Sequence, residues 1–426
     1  MTPDRRRRRA TALGAAVCAA LVALTACTAG GGASGEEETA RPAEEVTPLG
    51  DPAEKLSGVD RWDVPPPLDP DALARLPVDG PPAAVGEGFI GTVLPTDEDP
   101  ELTFVLTDAD GTSRWSRSVN PSCTSFTVSR TDGRDIVVLL DNDFDPLRGE
   151  ADPPTEASGY DAVTGERLWG PVDVPGAVIG PGLVFGDMPG TVVSDDAGAT
   201  VALSPADGSV QADETDGVVI DHEHNGVLLV EEDGELRARD TVSGRELWSG
   251  SDLRPPKGAG GRRVGYARAV EGDGARVLLS WTPADGGGRP ITTVNDLRTG
   301  TTVAVLPDEV VEPRALSDPV TGVLVATSVA DADGFVAAYD GETGRELWRD
   351  ATADYAPRTL LGGKLFGAQP DRAEKVVLAA ADGTTEERGT WPFPIAATPS
   401  GATAFALPDA DCDKKDGSCV AVGAPS

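Results

Sequence analysis

Short apolar runs alternate with turns rich in Gly, Asp and Thr along most of the chain. Three of these turns share one pattern, in which an apolar run ends at Asp and is followed by two variable residues, Thr or Ser, Gly, two charged residues, Leu and Trp. The copies occupy residues 161–169, 240–248 and 340–348. Asp, Thr and Ser hydrogen-bond to nearby backbone, and Gly accepts the positive φ of a tight turn. Each copy therefore predicts a β-hairpin, and their recurrence indicates a repeat architecture.

The strand after each turn carries apolar groups on both faces. Leu and Trp are adjacent in each copy, and successive side chains of a strand point to opposite faces. The charged pair before Leu suits an outer strand that must resist pairing with another chain. Four-stranded sheets that are covered on both faces and repeated around an axis form a β-propeller. The pattern therefore predicts an all-β chain folded as a β-propeller.

The spacing of the turn glycines sets the number of blades. Complete and degenerate copies of the motif place these glycines about 45 residues apart on average, as the length of a propeller blade requires. They are Gly111, Gly165, Gly208, Gly244, Gly300, Gly344 and Gly383. These positions account for seven blades and leave two ends of the chain unassigned.

The two ends of the chain together predict an eighth blade. After Trp391, three strand candidates follow at residues 394–397, 402–407 and 419–422. Upstream of the first blade, residues 59–64 form an isolated strand candidate around Trp62. We expect this N-terminal strand to complete the last blade, which would remove the open sheet ends. The leading prediction is eight four-stranded blades, and the alternative is seven blades with an irregular C-terminal hairpin.

The three complete copies resemble the tryptophan-docking motif of PQQ-type β-propeller repeats. That family includes quinoprotein alcohol dehydrogenases and BamB, a lipoprotein of the outer-membrane assembly machinery. The resemblance implies that the Trp of one blade packs against the next blade. The implied docking residues are Trp62, Trp115, Trp169, Trp248, Trp348 and Trp391, with the turn glycines Gly111, Gly165, Gly244, Gly300 and Gly344.

The N-terminus has the features of an export signal. Five consecutive arginines at positions 5–9 precede an apolar run over residues 10–23, which is too short for an ordinary membrane span. The sequence Leu-Thr-Ala-Cys then resembles a lipobox, so Cys27 is predicted to carry the lipid. We expect a lipoprotein signal peptide over residues 1–26, a flexible acidic tether over 27–57, and the propeller over 58–426. The protein would then lie on the extracytoplasmic side of the cell membrane.

The balance of charge excludes one class of partner. The chain has 71 Asp and Glu against 36 Lys and Arg, with a formal net charge of −35. Nucleic acid is therefore not an expected partner. The lipid is the only membrane signal that the sequence offers, and we expect a monomer that binds envelope proteins of unknown identity.

The cysteines suggest one disulfide. Cys412 and Cys419 flank a turn-rich hairpin tip, and export favours a bond between them. Cys123 is left over and is an alternative partner for either residue, because connectivity cannot be deduced from sequence alone.

Candidate catalytic and metal-binding residues are few. The resemblance to quinoproteins would imply adjacent cysteines and a set of calcium ligands, which this chain lacks, so no cofactor and no catalytic residue is expected. The two histidines, His222 and His224, would share one face of a strand and suit zinc or copper, but a polar turn is the preferred interpretation. Two Asp-rich stretches, at residues 141–145 and 409–413, resemble the start of a calcium loop. Each has the wrong residue where that loop needs Gly, so both are interpreted as solvated loops.

Two hypotheses for function follow. The leading one is a non-catalytic, lipid-anchored scaffold that binds protein at the cell envelope. The alternative is a sensor or enzymatic propeller with a small molecule or metal at the central channel. Convergent carboxylates and histidines in the channel would favour the alternative, whereas small residues would favour the scaffold.

Overall fold

The computed structural model describes residues 46–121, 125–142, 155–186, 200–272, 274–308, 310, 312–328, 335–369, 373–408 and 419–425. These residues form eight antiparallel β-sheets, each of which is one blade of a propeller. The predicted all-β class and the prediction of eight blades are confirmed. Three short 3-10 helices are the only helices in these ranges, and none of them has the length to cross a membrane.

Blades 1 to 7 each pair four strands in the order of the chain, from the central channel to the outer rim. The strands of blades 1 to 4 are, in turn, Ala83–Val85, Gly88–Val93, Leu102–Asp108 and Ser113–Val119; Phe126–Thr131, Arg134–Asn142, Thr155–Asp161 and Arg167–Val174; Ala177–Val178, Val184–Gly186, Thr200–Leu203 and Val210–Asp213; and Val219–His224, Val227–Glu232, Glu235–Asp240 and Glu246–Ser249. Those of blades 5 to 7 are Ala259–Ala269, Arg276–Pro283, Ile291–Asp296 and Thr302–Val305; Pro313–Ser317, Val323–Ser328, Val336–Asp340 and Glu346–Asp350; and Ala356–Leu361, Lys364–Ala368, Lys375–Ala379 and Thr385–Gly389.

Blade 8 closes the ring with strands from both ends of the chain. Its inner strands are Pro394–Ala397, Thr403–Leu407 and Cys419–Gly423, and its fourth strand is Ala74–Leu76. Ala74 lies opposite Val422 in an antiparallel pair. Closure by an N-terminal strand is therefore confirmed.

The strand predicted around Trp62 is wrong. Arg61–Asp63 form a 3-10 helix, and the side chain of Asp60 accepts a hydrogen bond of 3.0 Å from the backbone N–H of Trp62. Three prolines follow at positions 65–67, and proline has no N–H to offer a β-ladder. The Asp cap and the prolines together favour a turn, and Trp62 remains 60% exposed.

The tether predicted over residues 27–57 extends too far toward the C-terminus. Thr47–Pro48 pair with the outer strand of blade 1, and Glu54–Lys55 pair with the closing strand of blade 8. Residues 46–55 therefore cross the joint between the first and last blades as extra edge strands. The predicted signal peptide and residues 27–45 lie outside the described residues.

Residues 56–73, which we call the wedge, connect these edge strands to the closing strand. Val64, Leu68 and Leu73 are buried against Phe405 of blade 8. On its other side, the wedge contacts blade 7 through an ion pair of 3.6 Å between Arg61 and Glu387. The wedge therefore joins blades 7 and 8 with apolar contacts on one side and a charged contact on the other.

Candidate functional site

Four tryptophans join neighbouring blades in the same way. Each indole N–H donates to a backbone carbonyl that lies three residues before the turn glycine of the next blade. The bonds are Trp115 to Ala162 O at 3.2 Å, Trp169 to Pro205 O at 3.0 Å, Trp248 to Leu297 O at 2.9 Å and Trp348 to Ala380 O at 2.8 Å. The Trp of the motif and the turn glycine of the following copy therefore form one contact, although they belong to different repeats.

The turn glycines receive these indole rings. A Cβ atom on Gly300 would lie 3.0 Å from the ring of Trp248, and one on Gly383 would lie 2.8 Å from the ring of Trp348. Gly244 is the turn glycine of blade 4, and the preceding blade 3 has no docking Trp. A Cβ atom on Gly244 would meet nothing within 4 Å. The glycine is thus needed both for the positive φ of the turn and, where a Trp docks, for the close approach of the ring.

Two of the predicted docking tryptophans are placed differently. Trp62 lies on the wedge and is exposed. Trp391 is fully buried, but it packs with Phe366 and Val377 of blade 7, and its indole N–H has no hydrogen-bond partner in the described part of the chain. At the joint between blades 8 and 1, Gly111 faces Ala53 of the N-terminal segment. A Cβ atom added to Gly111 would lie 3.0 Å from the Cβ of Ala53.

Where a docking Trp is missing, a charged side chain takes over part of its role. Blade 5 carries no docking Trp, and Arg276 of that blade donates to Ser317 Oγ at 2.6 Å and to Gly341 O at 3.3 Å in blade 6. Gly341 lies three residues before Gly344, the same position that accepts the indole N–H elsewhere. A Cβ atom added to Gly344 would clash with the backbone carbonyl of Val303 in blade 5.

A buried carboxylate joins blades 3 and 4. Like the joint between blades 5 and 6, this joint has no docking Trp. Glu223 is fully buried and accepts hydrogen bonds from Leu183 N–H of blade 3 at 2.7 Å and from Gly226 N–H of blade 4 at 2.8 Å. Burial raises the pKa of Glu223 to about 7, while the two N–H donors oppose this rise. Gly182 of blade 3 lies against the same carboxylate. Sequence analysis missed this contact because it depends on how two blades are placed.

The central channel opens at one face of the ring into a cavity of about 620 Å³. The turns between the first and second strands of the blades line this mouth, and Pro65–Pro67 of the wedge join them. Most of the lining is small or apolar and includes Gly86, Pro181, Gly274, Pro319 and Pro399. Charged side chains also line the wall, namely Arg130, Asp135, Glu271, Asp318 and Lys364. A cavity of this size holds a small ligand.

Both histidines lie on the wall of this cavity, on the inner strand of blade 4. The predicted polar turn is misplaced, since the strand continues through His224 and the turn consists of Asn225 and Gly226, both with positive φ. His222 Nε2 donates to Gly274 O at 2.9 Å, and the Asn225 side chain donates to His224 Nε2 at 2.7 Å. Burial lowers the pKa of both histidines, that of His224 to about 4. Among the residues that the structure describes, no group of three or more His, Cys, Asp or Glu side chains could hold a metal ion.

A chain of buried hydrogen bonds in blade 5 supports the turn on which Trp248 docks. Trp281 is fully buried and donates to Thr293 Oγ1 at 2.8 Å, which donates to Asn295 Oδ1 at 2.6 Å. Asn295 in turn donates to Gly300 O at 2.9 Å. Sequence analysis gave Trp281 no role, because its partners lie on a neighbouring strand and only strand pairing brings them together.

Several predicted residues cannot be placed. Cys27, Cys123 and Cys412 lie outside the described residues, as do residues 143–145 and 409–413 of the Asp-rich stretches. Cys419 is buried at the start of the third strand of blade 8. Asp141 and Asn142 end a strand of blade 2. The predicted disulfide between Cys412 and Cys419 therefore stays a prediction.

The repeats match a known family model. The model described as outer membrane protein assembly factor BamB, of PQQ type, matches residues 154–386. The chain belongs to this family. The match begins near the third strand of blade 2 and ends in blade 7, so this family identity rests on the blades that carry three of the docking tryptophans.

Solved structures similar to this member of the family are distant. BamB from Moraxella catarrhalis is 15% identical, with 83% of this chain and 98% of that chain covered and a TM-score of 0.39. A chain of the mitotic checkpoint complex is 10% identical, with coverages of 87% and 98% and a TM-score of 0.39. The dihydro-haem d1 dehydrogenase NirN is 13% identical, with coverages of 83% and 79% and a TM-score of 0.39. No curated protein matches the chain.

Proposed function

We propose that this protein is a non-catalytic, lipid-anchored propeller that binds protein partners on the extracytoplasmic side of the cell envelope. The observation that carries the proposal is the match of residues 154–386 to the family described as an outer membrane assembly factor. We infer from this description that the chain contacts other proteins, and a propeller offers two broad faces for such contacts. One fold hosts many functions, so the features of this chain must support the proposal as well.

The channel mouth supports the scaffold over a catalytic site. Most of its lining is Gly, Pro and apolar residues. Its three carboxylates are engaged within the protein, since Asp135 pairs with Arg130, Glu271 pairs with Arg314, and Asp318 accepts a hydrogen bond from the N–H of Gly363. The two histidines on its wall bind neighbouring backbone or side-chain groups, and their lowered pKa values keep them neutral near pH 7. General acid–base catalysis is most efficient when the pKa of the catalytic group lies near the working pH. A pKa of about 4 for His224 does not meet that condition.

Affinity capture tests the scaffold proposal directly. Tagged mature protein, incubated with detergent-solubilised envelopes of its own host, is expected to retain a stoichiometric protein partner that mass spectrometry identifies. An excess of untagged mature protein should displace this partner, which separates specific binding from adhesion to an acidic surface. If nothing is retained and native mass spectrometry instead finds a bound metabolite or metal, the scaffold proposal fails.

The lipid anchor is the second part of the proposal, and Cys27 carries it. Replacing Cys27 with Ser should move nearly all of the protein from the membrane fraction to the soluble fraction, because the residue predicted to carry the lipid is lost. The melting temperature of the released protein should equal that of the wild type. Cys18→Ser, in the same predicted signal peptide, is the matched control and should leave the protein on the membrane. Retention of the Cys27→Ser variant after a high-salt wash would contradict the proposal.

One observation favours the alternative of a small ligand in the channel. The Nδ1 atom of His222 is buried at the cavity wall and has no hydrogen-bond partner among the described residues. Since Nε2 donates to Gly274 O, Nδ1 is an acceptor in the neutral ring. A ligand with an O–H or N–H group would satisfy it, and native mass spectrometry of the protein as purified from its host would detect such a ligand.

A further inference from the structure

Among the residues that the structure describes, Trp62 is the large aromatic side chain that is most exposed. The sequence has seven tryptophans, and five of them are buried to 7% exposure or less, whereas Trp62 is 60% exposed. The other large apolar side chains exposed in the described ranges are aliphatic. A large exposed aromatic ring costs solvation free energy unless it has a partner, and tryptophan is the residue most enriched among binding hot spots.

The backbone around Trp62 is held in place, so the ring is presented in a defined position. Asp60 caps the 3-10 helix through the N–H of Trp62, and Val64 N–H bonds to Arg61 O at 3.3 Å. Val64 and Leu68, which follow in the wedge, are fully or almost fully buried. A side chain on such a fixed turn loses little entropy on binding, as an interface anchor requires.

The surroundings of Trp62 are acidic. Residues 60–72 contain four Asp and one Arg, and that Arg forms an ion pair with Glu387. Asp63 follows Trp62 in the helix, and Asp60, the cap residue, lies two positions before it, with the paired Arg61 between them. An exposed indole face next to carboxylates suits a guanidinium or ammonium group, which stacks on the ring and pairs with the carboxylates. The same charges disfavour an anionic membrane surface, which attracts basic rather than acidic segments.

We propose that Trp62, with Asp60 and Asp63, forms a docking site for an Arg- or Lys-rich segment of a partner protein. The site lies at the outer end of the wedge, where blades 7 and 8 meet, and is separate from the channel mouth. The proposal rests on the proposed scaffold function and names the chemistry of the partner and the place where it binds.

Site-specific photo-crosslinking in the native host tests the proposal. The full chain is expressed with p-benzoylphenylalanine at position 62 and, in separate strains, at positions 163 and 242, where valines are 64% and 52% exposed on the turns of blades 2 and 4. Position 62 should crosslink to a protein whose linked peptide carries a net positive charge. Adding D60N and D63N should lower this yield about fivefold, because two exposed charge pairs are lost. Asn retains the helix cap, so the turn should keep its geometry.

The outcomes of this experiment distinguish the docking site at Trp62 from the scaffold function. A linked peptide that is neutral or acidic, a lipid adduct, or a yield unchanged by D60N/D63N overturns the docking site at Trp62. Products at position 163 or 242 with none at 62 also overturn it, while the scaffold function stands. No protein product at any of the three positions counts against both. An unchanged melting temperature of the D60N/D63N protein confirms that a loss of yield reflects charge and not unfolding.

Discussion

The Trp248→Ala protein is expected to unfold with a free energy roughly 3–5 kcal/mol below that of the wild type. Trp248 is 4% exposed and packs with Leu279 and Trp281 across the joint between blades 4 and 5. Its loss would leave a cavity in that joint and would leave Leu297 O without the indole N–H. Urea-induced unfolding, followed by circular dichroism, measures the difference.

A pair of glycine variants is the matched control for this prediction. Gly244 and Gly300 have nearly equal φ values of +66° and +70°, so alanine brings similar backbone strain to both, on the order of 1–2 kcal/mol. Only the new methyl group at position 300 would contact Trp248. Gly300→Ala should therefore destabilise the protein more than Gly244→Ala does. Equal losses, together with a small effect of Trp248→Ala, would show that this contact does not stabilise the ring.

The repeat pattern predicted the architecture because each blade encodes it locally. Asp, Thr or Ser, and Gly recur at fixed positions, and in blade 6 they form the turn itself, with Thr343 N–H bonded to Asp340 Oδ1 at 2.8 Å. The strand that closes the ring was harder to find. Ala74–Leu76 is only three residues long and lacks a motif, whereas the segment around Trp62 resembles a strand until its Asp cap and prolines are considered.

The contacts that distinguish this chain from its repeat pattern lie between blades. Arg276 and Glu223 replace docking tryptophans at two joints, yet neither stands in a motif. Their roles follow from the distance between adjacent sheets, which no local pattern specifies. The sequence did place His222 and His224 on one face of a strand, but only the ring closure puts that face on the channel wall.

Glu223→Ala is expected to cost about 3–5 kcal/mol, because two backbone N–H groups would remain buried without acceptors. The donors, Leu183 and Gly226, belong to different blades, and no docking Trp holds this joint. Glu223→Gln keeps the shape but turns one acceptor oxygen into an NH₂ group that faces a donor, so its cost should be smaller than that of alanine and still measurable by urea-induced unfolding.

The pH dependence of the free energy of unfolding shows whether Glu223 titrates between pH 5 and 8. Burial raises its pKa to about 7 from an ordinary value of 4.5, so protonation of Glu223 favours the folded state, and this contribution is lost as the pH rises through 7. Asp221, with a pKa raised to about 6, acts in the same direction, whereas His222 and His224 act in the opposite one.

Subtracting the curve of stability against pH for Glu223→Gln from the wild-type curve cancels the contributions of these neighbours. The difference in free energy of unfolding should grow as the pH falls from 8 to 5, by at most about 1.4 kcal/mol per pH unit. Val242→Ala, at an exposed turn of blade 4, changes no titratable group and should give a curve parallel to that of the wild type. If the Glu223→Gln curve is also parallel, the carboxyl group does not titrate in this range and the joint between blades 3 and 4 is not sensitive to pH.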